Sequence, residues 1–319
     1  MILQKLIYSY YFLRDASIVY FRKLTKSKKR PNGKLFRTRI SDIEGNDLVY
    51  KLLSSNEPFA VGRIGASETF NINEYFAVKF GYKKHMKERY RIQLHTLSGF
   101  FPPTEDNVKS FCDIFLESLK EIDVLPTYRS FMEEYIVREY AKKNVVLTEP
   151  HTYEPYFFEN PWSRGLAGKK VLVVSPFADS IKEQYAGKQE CIFKNPEVLP
   201  KFELNVVNAV QTIAGNKDDR FDDWFEALDY MYNECMKVDF DVALVGCGVY
   251  ALPLSARIKK AGKQVIMMCG STQYLFGIKS SRTDARPYMR ELYTDAWIYP
   301  SEKEKPRNSS AVEGGCYWK

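Results

Sequence analysis

The chain has 319 residues, which suits one large domain or two small ones, and 45% of them are apolar, enough for a sizeable core. Its net charge of +7 is local, because nine Lys or Arg and no acid lie between Arg22 and Arg39. A protein-wide nucleic-acid surface is therefore excluded, and no nucleic-acid partner is expected. The six cysteines form no C-x-x-C pair, which argues against structural zinc and for free thiols in a reducing cytoplasm.

Residues 1–21 are rich in Ile, Leu, Tyr and Phe but carry Lys5, Arg14 and Asp15. No run reaches the roughly 18 apolar residues of a spanning helix, and no small-residue cleavage site marks a signal peptide. With Lys23, Lys26, Lys28, Lys29 and Arg30 behind it, the segment reads in two ways. It is either a membrane-surface helix with a basic patch or an aromatic helix packed on the core and followed by a basic linker. Residues 24–36 read as a flexible join with a Pro31-Asn-Gly turn. This divides the chain into residues 1–36 and a domain of residues 37–319.

The spacing predicts a helix over 40–54, a short strand with a glycine exit over 59–65, and a helix over 67–80 with Ser67 as its cap. Residues 104–142 read as two helices, the first capped by Thr104 and striped by Val108, Phe111, Phe115 and Leu119. Strands follow at 145–147 and 171–176, a helix at 178–185, a strand at 204–209, and a helix at 222–237 carrying Phe225, Leu228, Met231, Tyr232 and Cys235 on one face. Residues 241–273 read as strand, glycine turn, helix, strand and glycine turn. Their apolar runs, with no polar alternation, fit strands buried on both faces of a parallel sheet. The fold class expected is α/β: a Rossmann-like, mostly parallel sheet flanked by helices, with an N-terminal helical extension.

In such sheets ligands bind where the strands end. Four exits follow: Arg63 to Glu68, Ser175 to Asp179, Gly246 to Tyr250, and Cys269 to Gln273. In Gly62-Arg-Ile-Gly-Ala-Ser-Glu68, Arg63 could grip a phosphate through its planar fork. Glu68 could hold Mg²⁺ or Mn²⁺ or act as a base. The alternative is an Arg–Glu surface pair at a helix start. Asp179 is either a strand-exit carboxylate or a first-turn helix residue. Gly246 and Gly248 allow close backbone approach, and Gly270, Ser271, Thr272 and Gln273 offer N–H groups, hydroxyls and an amide to sugar or phosphate. Lys279, Arg282 and Arg286 either neutralise a diphosphate or form a solvated loop. No G-x-G-x-x-G, Walker A or G-x-S-x-G pattern occurs. The acids of residues 218–223 read better as helix N-terminal charge than as a cation site, and His85, His95 and His151 lack metal-ligand spacing.

The runs Gly168-Lys-Lys-Val-Leu-Val-Val-Ser-Pro-Phe177, Gln211-Thr-Ile-Ala-Gly215, Phe240-Asp-Val-Ala-Leu-Val-Gly-Cys-Gly-Val-Tyr-Ala-Leu-Pro-Leu254 and Val312-Glu-Gly-Gly-Cys-Tyr-Trp318 resemble a family encoded with bacterial capsule and exopolysaccharide genes. That family is similar to GT-D-type glycosyltransferases, whose Rossmann-like domain uses a nucleotide-sugar donor and a divalent metal. The fold's Arg-x-Gly-Asp-x-Glu segment is matched by Arg63, Gly65 and Glu68, with Ala66 where the Asp should stand. The resemblance implies sugar transfer from a nucleoside diphosphate to a glycan or lipid-linked acceptor in surface polysaccharide synthesis, in the cytoplasm or at the inner face of the membrane. Glu68 would contact metal or acceptor. Arg63, Gly65, Gly246, Gly248, Tyr250, Gly270, Ser271, Thr272, Gln273 and Lys279 would line the donor site. Residues 1–34 would bring the enzyme to lipid-linked acceptors. With Ala66 present, three outcomes stand open: another acid, Asp179, completes the site with Glu68; the diphosphate itself carries Mn²⁺ or Mg²⁺; or catalysis is lost and the chain is a nucleotide- or glycan-binding assembly protein.

Overall fold

The computed structural model describes residues 2–26 and 37–318. Of the flexible join expected at residues 24–36, Leu24 and Thr25 instead end a helix, and residues 27–36, with Lys28, Lys29, Arg30 and the Pro31-Asn-Gly turn, lie outside the described residues.

The strands are β1 (Ala60–Val61), β2 (Val124–Pro126), β3 (Val146–Thr148), β4 (Lys170–Ser175), β5 (Glu203–Asn208), β6 (Val242–Val245) and β7 (Gln264–Met267). The helices are α1 (Ile2–Thr25), α2 (Asp42–Ser55), α3 (Ala66–Lys79), α4 (Glu88–Ser98), α5 (Glu105–Ser118), α6 (Glu133–Tyr140), α7 (Ala178–Lys188), α8 (Trp224–Met236) and α9 (Ala251–Lys260), then the short α10 (Ser271–Leu275), α11 (Ser281–Asp284) and α12 (Pro287–Arg290). All seven strands run parallel in the order β3-β2-β1-β7-β6-β4-β5. The α/β class and the Rossmann-like layering are those read from the sequence.

Successive strand residues feed opposite cores, as the two-residue pleat requires. Ala60, Leu172, Val174, Ala243, Val245 and Val265 join one core, with α3, α5, α8 and α9. Val61, Val171, Val173, Val242, Leu244 and Ile266 join the other, with α2 and α7. Helix starts follow local chemistry. Thr104 accepts from the Asn107 N–H, and Asp223 accepts from Phe225 and Glu226. Of the acids at 218–223, Asp223 serves the helix start, while Asp218 pairs with Arg220 and Asp219 with Lys217. Ser67 is not a cap: the N-cap of α3 is Gly65, without a side-chain bond, and Ser67 lies inside the first turn.

Helix α7, after β4, packs on one face, whereas α9, after the neighbouring β6, packs on the other. The two exits diverge, and the divergence opens a crevice at the carboxyl ends of the strands.

Asp123 ties β1 to β2. Its carboxylate accepts from the Ala60 N–H at 2.8 Å, meets Lys259 at 2.8 Å and pairs with Lys142. Burial works against the charge, but the lysines and the N–H win and hold this carboxyl below its ordinary value. The resulting stabilisation is complete above the unfolded value of about 3.9 and is lost as pH falls through the depressed folded value. Asp123→Asn is expected to cost about 1.5–3 kcal/mol at neutral pH and to flatten the acid limb of a urea-midpoint-versus-pH curve. An unchanged acid limb would contradict this.

Candidate active site at the strand exits

The crevice holds a cavity of about 360 Å³ bounded by the exits of β1, β4, β5, β6 and β7. Of the residues singled out from sequence, Arg63, Gly65, Glu68, Gly246, Gly248, Tyr250, Gly270 and Gln273 line it. The glycine bends therefore converge, and Arg63 and Glu68 share a cavity with Gly248 and Gly270.

Arg63 leaves β1 and reaches two phenols: Nη1 donates to Tyr153 at 3.0 Å and to Tyr128 at 3.4 Å. Burial pushes both phenols up despite the pull of Arg63, so they are neutral near pH 7. Among the described residues no carboxylate lies within ion-pair distance of Arg63, and its buried Nε has no hydrogen-bond partner. A guanidinium cannot shed its proton. It is a half-buried cation whose hydrogen bonds and ring contacts are to neutral phenols, with no anion beside it. The surface Arg–Glu pair weighed from sequence is not made.

Glu68 is 8% exposed and sits three residues after the N-cap of α3. Its carboxylate folds back over Gly65, where a Cβ would lie 2.1 Å from Oε2, and accepts from Ser67 at 3.0 Å. That is a favourable place for an acid in the field of a helix start. It also presents the carboxylate to the cavity.

Asp179 and Lys279 stand outside the cavity. Asp179 is exposed at the start of α7, and its N–H, with that of Ser180, donates to Glu304 at 2.9 and 3.1 Å. The N-terminus of α7 is thus filled by an internal carboxylate, and Asp179 does not join Glu68. Lys279 packs over the rings of Tyr293 and Tyr299. Ser271 donates to Glu154 at 2.7 Å, tying α10 to the loop after β3. Thr272 lies under Gly246 rather than in the cavity: a Cβ on Gly246 would sit 2.3 Å from Thr272 Oγ1. The phenol of Tyr250 is buried against Trp224 and bonds Thr212 at 3.1 Å.

Sequence reading did not assign Ser98 at the end of α4, Thr212 beyond β5, or Tyr317 to the cavity. Tyr317 lies 3.0 Å from the place of a Cβ on Gly270, so the final segment roofs the glycine turn. Arg282, considered earlier for a diphosphate, donates to the Tyr317 hydroxyl at 3.1 Å and pairs with Glu313. Cys247 and Cys269 are free thiols, as expected. Burial raises Cys269 although Arg63 opposes it, and its φ of 53° strains the turn after β7.

The donor set does not fit a protein-held Mn²⁺ or Mg²⁺. Glu68 and Glu313 are the carboxylates of the cavity wall, and Glu313 is taken by Arg282. Among the described residues no group of three His, Cys, Asp or Glu could hold a metal ion. One carboxylate is short of the several oxygens these cations take.

No protein-family model and no curated protein matches the chain. Two solved structures do. One is described as the "highly conserved domain of unknown function 1792" with "a distinct glycosyltransferase fold". It is 13% identical over 87% of this chain and 90% of that one, with a TM-score of 0.43. The other is a selenomethionine form of the domain of unknown function 1792, 15% identical over 84% of this chain and 92% of that one, with a TM-score of 0.44.

Gly248 has φ of +60°, and a Cβ there would meet the Ser98 carbonyl oxygen at 2.7 Å. Gly248→Ala is expected to lose about 1–3 kcal/mol of stability in urea unfolding. A variant as stable as the parent would show that α4 does not hold this turn.

Proposed function

We propose that the cavity binds a nucleoside diphosphate sugar and that the chain transfers the sugar to the hydroxyl of a glycan or lipid-linked acceptor, as in surface polysaccharide synthesis. The observation that carries this reading is Arg63, a cation facing a cavity at the strand ends with neutral phenols for company. A diphosphate supplies the missing anion. The first turn of α3, without a side-chain cap, and the backbone at Gly246–Gly248 add N–H groups to the same wall.

In this mechanism Arg63 neutralises the charge that grows on the departing diphosphate as the bond from the anomeric carbon to phosphate oxygen breaks. Glu68 takes the proton of the attacking acceptor hydroxyl. Gln273 and the turn at Gly270 hold the sugar. Among the described residues, Glu68 would be the one cavity carboxylate free to touch a divalent ion carried by the diphosphate, and such an ion would supply further charge neutralisation of the leaving group. Residues 1–34 bring the enzyme to the membrane surface. Helix α1 keeps Leu3, Leu6, Leu13 and Leu24 exposed, and no helix among the described residues is long and apolar enough to cross a membrane.

Ala66 favours a second reading, a non-catalytic nucleotide- or glycan-binding protein on the same scaffold. Titration with nucleoside diphosphates and turnover of a panel of nucleotide sugars, with and without Mn²⁺, separate the two. Arg63→Gln is expected to weaken nucleoside diphosphate binding about 10- to 100-fold, matching the loss of hydrogen bonds to a charged group. Glu68→Gln should keep binding and lose turnover. Binding with no turnover of any donor would support the second reading, and nucleotide binding indifferent to Arg63→Gln would remove both.

A further inference from the structure

A second cavity, of about 510 Å³, lies between α1, α3 and the segment that leads into α4. Its walls are apolar and aromatic, with Tyr8, Phe12, Leu13, Phe70, Ala77 and Tyr82 prominent. Of its polar residues, Ser9 bonds the Lys5 carbonyl and Glu74 pairs with Lys83, whereas Asn73 is left without a side-chain partner. Asn73 is 8% exposed, and neither its amide nitrogen nor its amide oxygen has a hydrogen-bond partner. A buried amide left unpaired is unfavourable, so the groove carries an unfilled demand for a polar atom among apolar walls.

The groove and the donor cavity share α3 and α4. Ala66 and Ser67 line the donor cavity, and Phe70, Asn73 and Ala77 line the groove. These positions fall at helical spacing on one stripe of α3. On α4, Tyr90 faces the groove, and Gln93 and Leu97 face the donor cavity. Phe70 and Tyr90 stack between them, with centroids 5.2 Å apart and planes 20° apart. On its far side the groove opens at Phe12 and Leu13, which also belong to the exposed apolar side of α1.

The mouth is basic. Lys83 is neutralised by Glu74 at 2.6 Å. Lys87 and Arg89 have no carboxylate partner among the described residues and lie over the ring of Tyr90. Apolar walls, an unpaired amide and unneutralised cations beside the aromatic stack suit one ligand chemistry: a long hydrocarbon chain ending in an anionic head.

We propose that this groove holds the hydrocarbon chain of a lipid phosphate and points its head past the Phe70–Tyr90 stack toward the donor cavity, making it the seat of a lipid-linked acceptor. The acceptor role rests on the donor cavity proposed above; the lipid groove itself does not. The walls take the chain, the Asn73 amide meets an oxygen of the ligand, and Lys87 and Arg89 meet the phosphate.

The test titrates inorganic phosphate, octyl phosphate and dodecyl phosphate, below their micelle concentrations, into the full chain. Affinity is expected to rise about fourfold per methylene until the groove is full, which is the gain from burying one methylene. Ala77→Phe, which fills the groove, and Leu13→Glu, at its exposed mouth, should each weaken dodecyl phosphate at least tenfold. Both should leave nucleoside diphosphate binding unchanged. Because Leu13 is 66% exposed, its variant folds whether or not Ala77→Phe does. A flat chain-length series, or dodecyl phosphate binding undiminished in Leu13→Glu, would overturn the proposal. So would a dimer of the parent chain that Leu13→Glu disperses, since a second copy would then be the occupant. Dodecyl phosphate binding intact beside absent nucleotide binding would uphold the groove and overturn its acceptor role.

Discussion

The pairing of β1 with β7 joins two distant parts of the chain, and the site depends on it. Ala60 aligns with Val265 and Val61 with Ile266. That register sets Arg63 beside the turn after β7 and delivers α3 to the same wall as the β6 turn. A parallel pair needs a crossover rather than a hairpin, and here the chain between the partners builds five other strands. The cavity is therefore a product of the finished sheet, and no fragment of the chain contains it.

Within that frame, charge decides what the crevice can hold. The helix starts after β1 and β4 differ in charge. The N-terminus of α7 is answered from within by Glu304, 125 residues away in sequence. The start of α3 has Gly65 as its cap and Glu68 folded over it, with Arg63 close by and paired only with phenols. The anionic demand lies on the β1 side. The crevice is asymmetric for an electrostatic reason, and Asp179 lies on the satisfied half.

Strands β4, β6 and β7 were legible because burial on both faces writes an uninterrupted apolar run, and glycines at the β6 and β7 exits mark their turns. Strand β2 was not, because Val124–Pro126 is three residues long and ends in a proline between two helices, so it merged into a helical reading. Helix α4 was missed because it buries only Leu94 fully, which leaves no apolar period to detect. The same logic separates the site residues. Arg63, Glu68, Gly246 and Gly270 follow strands and could be placed by topology alone. Ser98, Thr212 and Tyr317 reach the cavity on segments whose approach is set by tertiary packing. The exclusion of Asp179 depends on Glu304, and that of Thr272 on the close approach of Gly246; neither leaves a local trace.

The central claim is that the cavity is a diphosphate site centred on Arg63. The most direct measurement is a crystal structure of the full chain soaked with a nucleoside diphosphate, with and without Mn²⁺. The account predicts phosphate oxygens within hydrogen-bond distance of the Arg63 guanidinium, between the first turn of α3 and the Gly246–Gly248 turn. Nucleotide bound at the N-terminus of α7 instead, or a cavity left empty at millimolar nucleotide, would contradict it.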